Sequence, residues 1–241
     1  MTGPSQEELR PATVDLGAQS TKSIIVRSIR PSGRRILDIG CGAGALVAWL
    51  HREDADAIGI DPDAELLRAA AARRPGFWIA GRAEHLPIAD CSVDAALFFN
   101  SLHHVPEASL EAALVEARRA LRPGGDLLII EPLASGTYFE LLRPLDDETA
   151  VRAAALAAID AVPDELLEPI ERARFDTSLD YASAAEITAT FLRADPGRAA
   201  LIEPALPAIS ERFAALGQQL ADGGRRFDQP MLALLLRRPR R

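Results

Sequence analysis

The chain has 241 residues, 48% of them hydrophobic and 26% charged, with a formal net charge of −8. Such a composition fits a globular domain with one sizeable core, and the negative balance argues against a general affinity for nucleic-acid phosphates. Only Cys41 and Cys91 are present, far apart and outside any CxxC pair, which speaks against a disulfide framework and a cysteine zinc site.

In chain order, the opening "MTGPSQEELRPATVDLG" is polar and lacks the apolar core of a secretory signal. No run reaches the roughly 18 apolar residues that read as a membrane span. A cytoplasmic setting with no membrane partner is therefore expected. "LGAQSTKSIIVRSI" reads as a helix, with Lys22 and Arg27 either near a bound anion or on a solvated face.

"RILDI" is an apolar run ended by glycine, the mark of a buried strand, and "GALVAWLHRED" follows with Leu46, Val47 and Leu50 at helical spacing. "ADAIGID" is a second strand, and "PDAELLRAAAARRPG" a helix closed by Pro75-Gly76. "FWIAG" and "VDAALFF" are strands three and four. "PEASLEAALVEARRALRPGG" spans about four helical turns, and "DLLIIEP" is strand five. Beyond it, "DDETAVRAAALAAIDAV" and "DELLEPIERAR" read as helices and "FDTSLDY" as an edge strand. "SAAEITATFLRAD" and "PALPAISERFAALGQQLADG" are helical again, "PMLALLLRR" is a last strand, and the basic end "LLLRRPRR" reads as a solvated tail. Strands alternating with helices predict an α/β, doubly wound, mostly parallel sheet with helices on both faces. No linker marks a second domain, so residues 1–241 are expected to form one.

In such a sheet, ligands bind beyond the carboxyl ends of the strands, where strand order reverses. Gly40, Gly42 and Gly44 strip side chains from the first strand–helix turn. The helix beginning near Ala43 aims free N–H groups at the same place. "GCGAGA", with Ala45 last, satisfies G-x-G-x-x-G/A, and Asp61 lies about twenty residues beyond Gly40, where a ribose-binding acid belongs. A nicotinamide-dependent oxidoreductase is therefore one reading. Asp61 could instead start the helix before Pro62, although Asp63 suits that role better ahead of "AELL". Asp38 favours another ligand: a carboxylate there repels a diphosphate and attracts an ammonium or sulfonium group. It could equally accept hydrogen bonds from the turn's own amides.

At these residues the chain resembles the class I S-adenosylmethionine-dependent methyltransferases. "ILDIGCGAGAL" is similar to their first motif and "GIDPDAELL" to the second. "GRAEHLPIADCSVDAALFFNSLHHV" and "EARRALRPGGDLLIIEP" resemble the remaining motifs of the small-molecule, ubiquinone-type (type 11) group. The resemblance covers residues 35 to 132. It implies seven strands in the order 3-2-1-4-5-7-6 with the last antiparallel. It divides the domain into an N-terminal helical cover (1–33), a cofactor-binding half (34–132), a mainly helical lid and acceptor region (133–226), and the last strand with the basic tail (227–241).

It also implies S-adenosyl-L-methionine as cofactor and S-adenosyl-L-homocysteine as product, held by Asp38, Gly40, Cys41, Gly42, Gly44, Asp61, Pro62, Arg82, Ala83, Glu84 and Asn100. Asp61 would take the ribose hydroxyls, Arg82 to Glu84 the adenine, and Asn100 the methionine part. Arg82 departs from the aspartate many relatives carry; a guanidinium only donates, which leaves adenine to backbone groups or Glu84.

Methyl transfer needs the nucleophile held in line and water excluded, with a base only where the nucleophile arrives protonated. His103 and His104 in "NSLHHV" are the base candidates; the plainer reading packs one beneath a helix and lets the other cap backbone. Tyr138 and Phe139 are expected either to stack on a small-molecule acceptor or to anchor helices, with Glu131 or Arg143 setting its polarity. No His/Asp/Glu group has metal-ligand spacing, so no metal is expected. A non-catalytic binding protein on the same fold is the third reading. Nothing in the sequence names the acceptor or its reacting atom.

Overall fold

The structure, a computed structural model, describes residues 11–194 and 199–240; the expectations for residues 1–10 and Arg241 lie outside them. The first strand–helix rhythm folds as read. Strands β2 (Arg35–Ile39), β3 (Asp56–Asp61), β4 (Phe77–Ala80) and β5 (Val93–Phe99) alternate with helices α2 (Ala45–Arg52), α3 (Ala64–Arg73) and α4 (Leu110–Ala120). Ahead of them stand β1 (Thr13–Ala18) and α1 (Thr21–Ile29). Ser20 caps α1 by accepting from the Ser23 amide at 3.0 Å. After α4 come β6 (Leu121–Pro132), α5 (Thr137–Leu142), α6 (Thr149–Ala161), β7 (Glu168–Tyr181), α7 (Ala184–Ala194), α8 (Ala199–Leu216), β8 (Gln218–Gln219) and β9 (Arg225–Arg237).

The sheet runs β4-β3-β2-β5-β6-β9-β7-β1, with β8 paired to β9. Only β9 is antiparallel to its neighbours; the other pairs are parallel. The expected order is kept, with two additions that make nine strands: β1 beyond β7, and the short β8. Side chains alternate across the sheet. Leu37, Ile58, Phe98 and Leu127 pack against Leu110 and Leu114 of α4 and Ile159 of α6. On the other face Ile36, Ala57, Leu97 and Leu128 meet Ile24, Ile25, Val47 and Leu50. A third cluster, including Leu141, Ile187, Ile209 and Phe227, joins α5, α7 and α8 to β9.

Several expectations are corrected. Residues 168–174 of "DELLEPIERAR" form the first half of β7, not a helix. They pair with β9 in a ladder that runs from Glu168–Arg237 to Tyr181–Arg225. Glutamate and arginine are good helix formers, but the period-two burial of Ala173 and Phe175 decides the outcome. "FDTSLDY" is the second half of the same strand; β1 covers β7 only as far as Asp176. Helix α4 is shorter than expected because the chain turns extended at Leu121, ahead of Pro123. "GQQLADG" is not helical but carries β8. The lid region therefore mixes helices with a 14-residue strand, and the N-terminal cover holds a strand as well as α1. Within the basic end, Arg237 and Arg238 are docked rather than solvated, while Arg240 is exposed. Arg237 pairs with Asp126 at 2.8 Å, and Arg238 donates to the Leu121 carbonyl at 2.7 Å. Among the described residues, no helix is long and apolar enough to cross a membrane.

Candidate functional site

Strand order reverses between β2 and β5, and a cavity of about 1060 Å³ opens beyond their carboxyl ends. Of the expected cofactor residues, Gly40, Gly42, Asp61, Pro62, Arg82, Ala83, Glu84 and Asn100 line it. Asp38, Cys41 and Gly44 are not wall residues.

The three glycines answer different needs. At Gly42, φ is 52° and an added Cβ would meet nothing within 4 Å, so bare backbone faces open space. At Gly40 a Cβ would stand 2.5 Å from that of Ser101, and at Gly44 it would stand 2.2 Å from the Trp78 ring. Those two serve packing and Gly42 faces the cavity. Cys41 is buried, and its thiol is driven far up by burial, with Asp38 and Asp61 adding to the shift.

Asp61 is tied into the turn. Its Oδ2 accepts from the Gly42 amide and its Oδ1 from the Asp63 amide, both at 2.8 Å. A carboxylate offers about four lone-pair sites, so each oxygen keeps one for a hydroxyl. Asp63 caps α3, accepting from the Glu65 amide at 2.7 Å and the Leu66 amide at 3.1 Å.

Asp38 does not hold the turn. The Gly40 and Cys41 amides donate instead to the Ile60 carbonyl, at 2.8 and 3.0 Å. Burial, then the neighbouring Asp61, pushes the Asp38 carboxyl from 3.8 up to about 7. Its folded pKa lies above its unfolded one, so the folded protein binds more protons between those values. Stability without ligand therefore falls as pH rises through that window and levels off above about 7, by on the order of 4 kcal/mol. Asp38→Asn should flatten that fall, as urea unfolding at pH 5 and pH 8 would show; an equal fall in both proteins would contradict the assignment.

The histidines sit where β5 and β6 end side by side. Glu131, buried at the end of β6, accepts from the Ser101 and Leu102 amides at 3.2 and 2.9 Å through Oε1. Its Oε2 takes Nδ1 of His103. His103 is buried yet reaches the cavity wall, and its Nε2 lies 3.9 Å from Oε2 of Glu148. His104 is exposed at the rim, its ring centroid 4.0 Å from that of His103. Arg152 donates to Glu148 at 2.7 Å and to the Leu133 carbonyl at 2.9 Å, and lies 5.0 Å over the Phe139 ring. Burial opposes ionisation of Glu148, but the Arg152 guanidinium outweighs it and holds the carboxyl below its usual range.

Two acceptor-side expectations change accordingly, and for Phe139 one of its two readings is favoured. Glu131 does not face the acceptor space but fixes His103. Phe139 is buried beneath Arg152 and serves as an anchor. Arg143 is exposed and pairs with Asp147 at 3.1 Å and Glu140 at 3.5 Å, away from the cavity wall. Tyr138 does line the cavity, with its ring 6.0 Å from the parallel ring of Tyr181. Of the N-terminal helix only Thr21 reaches the wall, while Arg27 pairs with Glu171 and Lys22 lies over Trp49.

The wall also includes Glu148, Arg152, Thr177, Leu179, Phe191 and Gln229, none of which the sequence singled out. Glu148 was masked by Asp147, which takes the turn-bonding role by accepting from the Thr149 amide at 3.2 Å. Gln229 stands two residues before Met231 in β9; its Nε2 donates to the Leu133 and Pro230 carbonyls at 3.0 and 2.8 Å, and its buried Oε1 has no partner.

Residues 37–129 match the family described as a methyltransferase domain.

Over that stretch, rather than over its whole length, the chain is similar to a methyltransferase domain.

Methyltransferase GfsG of Streptomyces halstedii is 27% identical over 94% of this chain and 82% of its own length. A ubiquinone/menaquinone biosynthesis C-methyltransferase of Rubrivivax gelatinosus is 34% identical over 46% of this chain and 44% of its own. An uncharacterized methyltransferase of Mycobacterium tuberculosis is 38% identical over 100 residues, and there the match spans only 40% of the relative's length. Among solved structures, the YcgJ protein of Bacillus subtilis superposes with a TM-score of 0.56 at 19% identity, over 90% of this chain and 97% of its own. The [4+2]-cyclase SpnF superposes with a TM-score of 0.58 at 20% identity, over 90% of this chain and 80% of its own. These likenesses show the methyltransferase fold, and the cyclase shows that the fold alone does not fix the chemistry. Nothing in these comparisons supports the nicotinamide-dependent reading.

Proposed function

We propose that this protein is a methyltransferase, moving a methyl group from S-adenosylmethionine to a hydroxyl group of an uncharged small molecule, with His103 receiving the hydroxyl proton. The observation that carries this reading is the buried Glu131–His103 pair, whose imidazole reaches the cavity wall.

The residues present suit the cofactor. Gly42 leaves open backbone beside the cavity, and Asp61 keeps free lone pairs for ribose hydroxyls. When bound, S-adenosylmethionine supplies an electrophilic methyl group on a positively charged sulfur. Pro62, Arg82, Ala83, Glu84 and Asn100 complete the wall on that side.

The chain's own part is positioning and proton handling. Glu131 holds Nδ1 of His103, so the ring keeps its proton on that side and presents a bare Nε2 to the cavity. Thr177, Leu179, Phe191 and Gln229 enclose the space beyond and limit water. A carboxylate acceptor would need no base but would need a cation. Arg152 is already engaged by Glu148, the Leu133 carbonyl and the Phe139 ring. The balance favours a neutral hydroxyl.

The test incubates the protein with methyl-labelled S-adenosylmethionine and matched acceptors: neutral phenols and secondary alcohols, primary amines, and a malonyl thioester. The last is the class named for a relative from Dechloromonas aromatica. Label should enter the hydroxyl compounds and depend on His103. Label entering the malonyl thioester equally in wild type and His103→Ala would overturn the reading.

A further inference from the structure

We propose that His103, His104 and Glu148 form a site for a divalent transition metal, Zn²⁺ or a close neighbour, and that filling it disables the base of the proposed reaction. The three side chains offer ligand atoms within 4.8 Å of one another. Sequence spacing hid them, because Glu148 arrives from the cap position just before α6, far along the chain from the adjacent histidines.

Two imidazoles and one carboxylate select Zn²⁺, Co²⁺ or Ni²⁺ over the oxygen-seeking Mg²⁺ and Ca²⁺. A carboxylate on the far ring nitrogen is the support that metal-ligating histidines ordinarily have, and Glu131 provides it on Nδ1 of His103. That contact leaves Nε2 facing Glu148 at 3.9 Å. Metal bonds of about 2.0–2.2 Å need tetrahedral donor atoms about 3.4 Å apart, so the trio must close by about an ångström. His104 stands exposed at the rim and can supply that movement. The neighbouring cavity leaves room for water as a further ligand.

Arg152 is the competitor. It holds Oε2 of Glu148 through Nε at 3.1 Å and Nη2 at 2.7 Å, leaving Oε1 for an ion. The site is therefore an exchangeable one rather than a permanent structural centre. Occupation uses the same Nε2 lone pair that would accept the acceptor's proton, so metal and turnover exclude each other. The inhibitory consequence rests on the proposed reaction; the binding itself does not.

The experiment titrates Co²⁺ into the full purified chain with neither cofactor nor acceptor present, and follows visible d–d absorption. A band saturating at a single equivalent is expected, with His104→Ala and Glu148→Gln each weakening affinity ten-fold or more. Circular dichroism checks that both variants are folded. Absence of a saturable band, or a band unchanged in both variants, overturns the site. Because no methyl transfer is measured, that failure is distinct from failure of the proposed reaction.

Discussion

Replacing His103 by alanine should lower the methyl-transfer rate by about 10²–10⁴-fold while leaving S-adenosylhomocysteine affinity nearly intact, the usual worth of a positioned base. The more searching variant is Glu131→Gln. Its carbonyl oxygen can still accept from the Ser101 and Leu102 amides, at the positions now 3.2 and 2.9 Å away, so the local fold is kept. Its amide nitrogen, however, would face Nδ1 of His103 and donate to it. The ring proton then moves to Nε2, and no lone pair points into the cavity. A comparable loss of rate, with cofactor binding preserved by calorimetry, is expected. Full activity in Glu131→Gln would remove the histidine from proton transfer.

A second large effect is expected at Gly42. Valine there would be forced to a φ of 52°, which β-branched residues rarely adopt, a strain of about 1–3 kcal/mol. No neighbouring atom lies within 4 Å of the new Cβ, so the chain should still fold. The added branch would fill the space where the proposed cofactor approaches bare backbone. Affinity for S-adenosylhomocysteine should drop by about 100-fold or more, and the thermal stabilisation that ligand gives should vanish. A normal ligand-induced shift in Gly42→Val would refute the cofactor's placement beside this turn.

How much could be read from the sequence follows from how local each signal is. β2, β3 and β5 were legible because buried parallel strands are continuous apolar runs, ended here by glycine, proline or polar residues. β7 was not, since its first half is spelled in glutamate and arginine and only its pairing with β9 makes it a strand. β1 was missed for the opposite reason: most of its side chains are exposed, so no buried face left a pattern.

The site divides the same way. Gly42 and Asp61 stand on one strand–helix–strand unit, within reach of a motif. His103 and Glu131 were both singled out, the latter as an acceptor-side group, but their pairing was not read, because Glu131 lies on the next strand. Phe99 and Ile130 are register partners in the parallel pair, which places the residues that follow each strand end beside one another. Glu148 and Gln229 come from still further along the chain, brought in by α6 and β9.

Thr177, Ser178 and Leu179 line the cavity from the part of β7 that β1 does not reach. Main-chain ladder bonds to β9 fix that ribbon's register, whatever side chains it carries. The codons for Thr177 and Leu179, which share one face of the strand, can thus drift toward a differently shaped guest, leaving the proposed proton acceptor and its buttress in place. Diversification in such a lineage should leave its trace on those positions first.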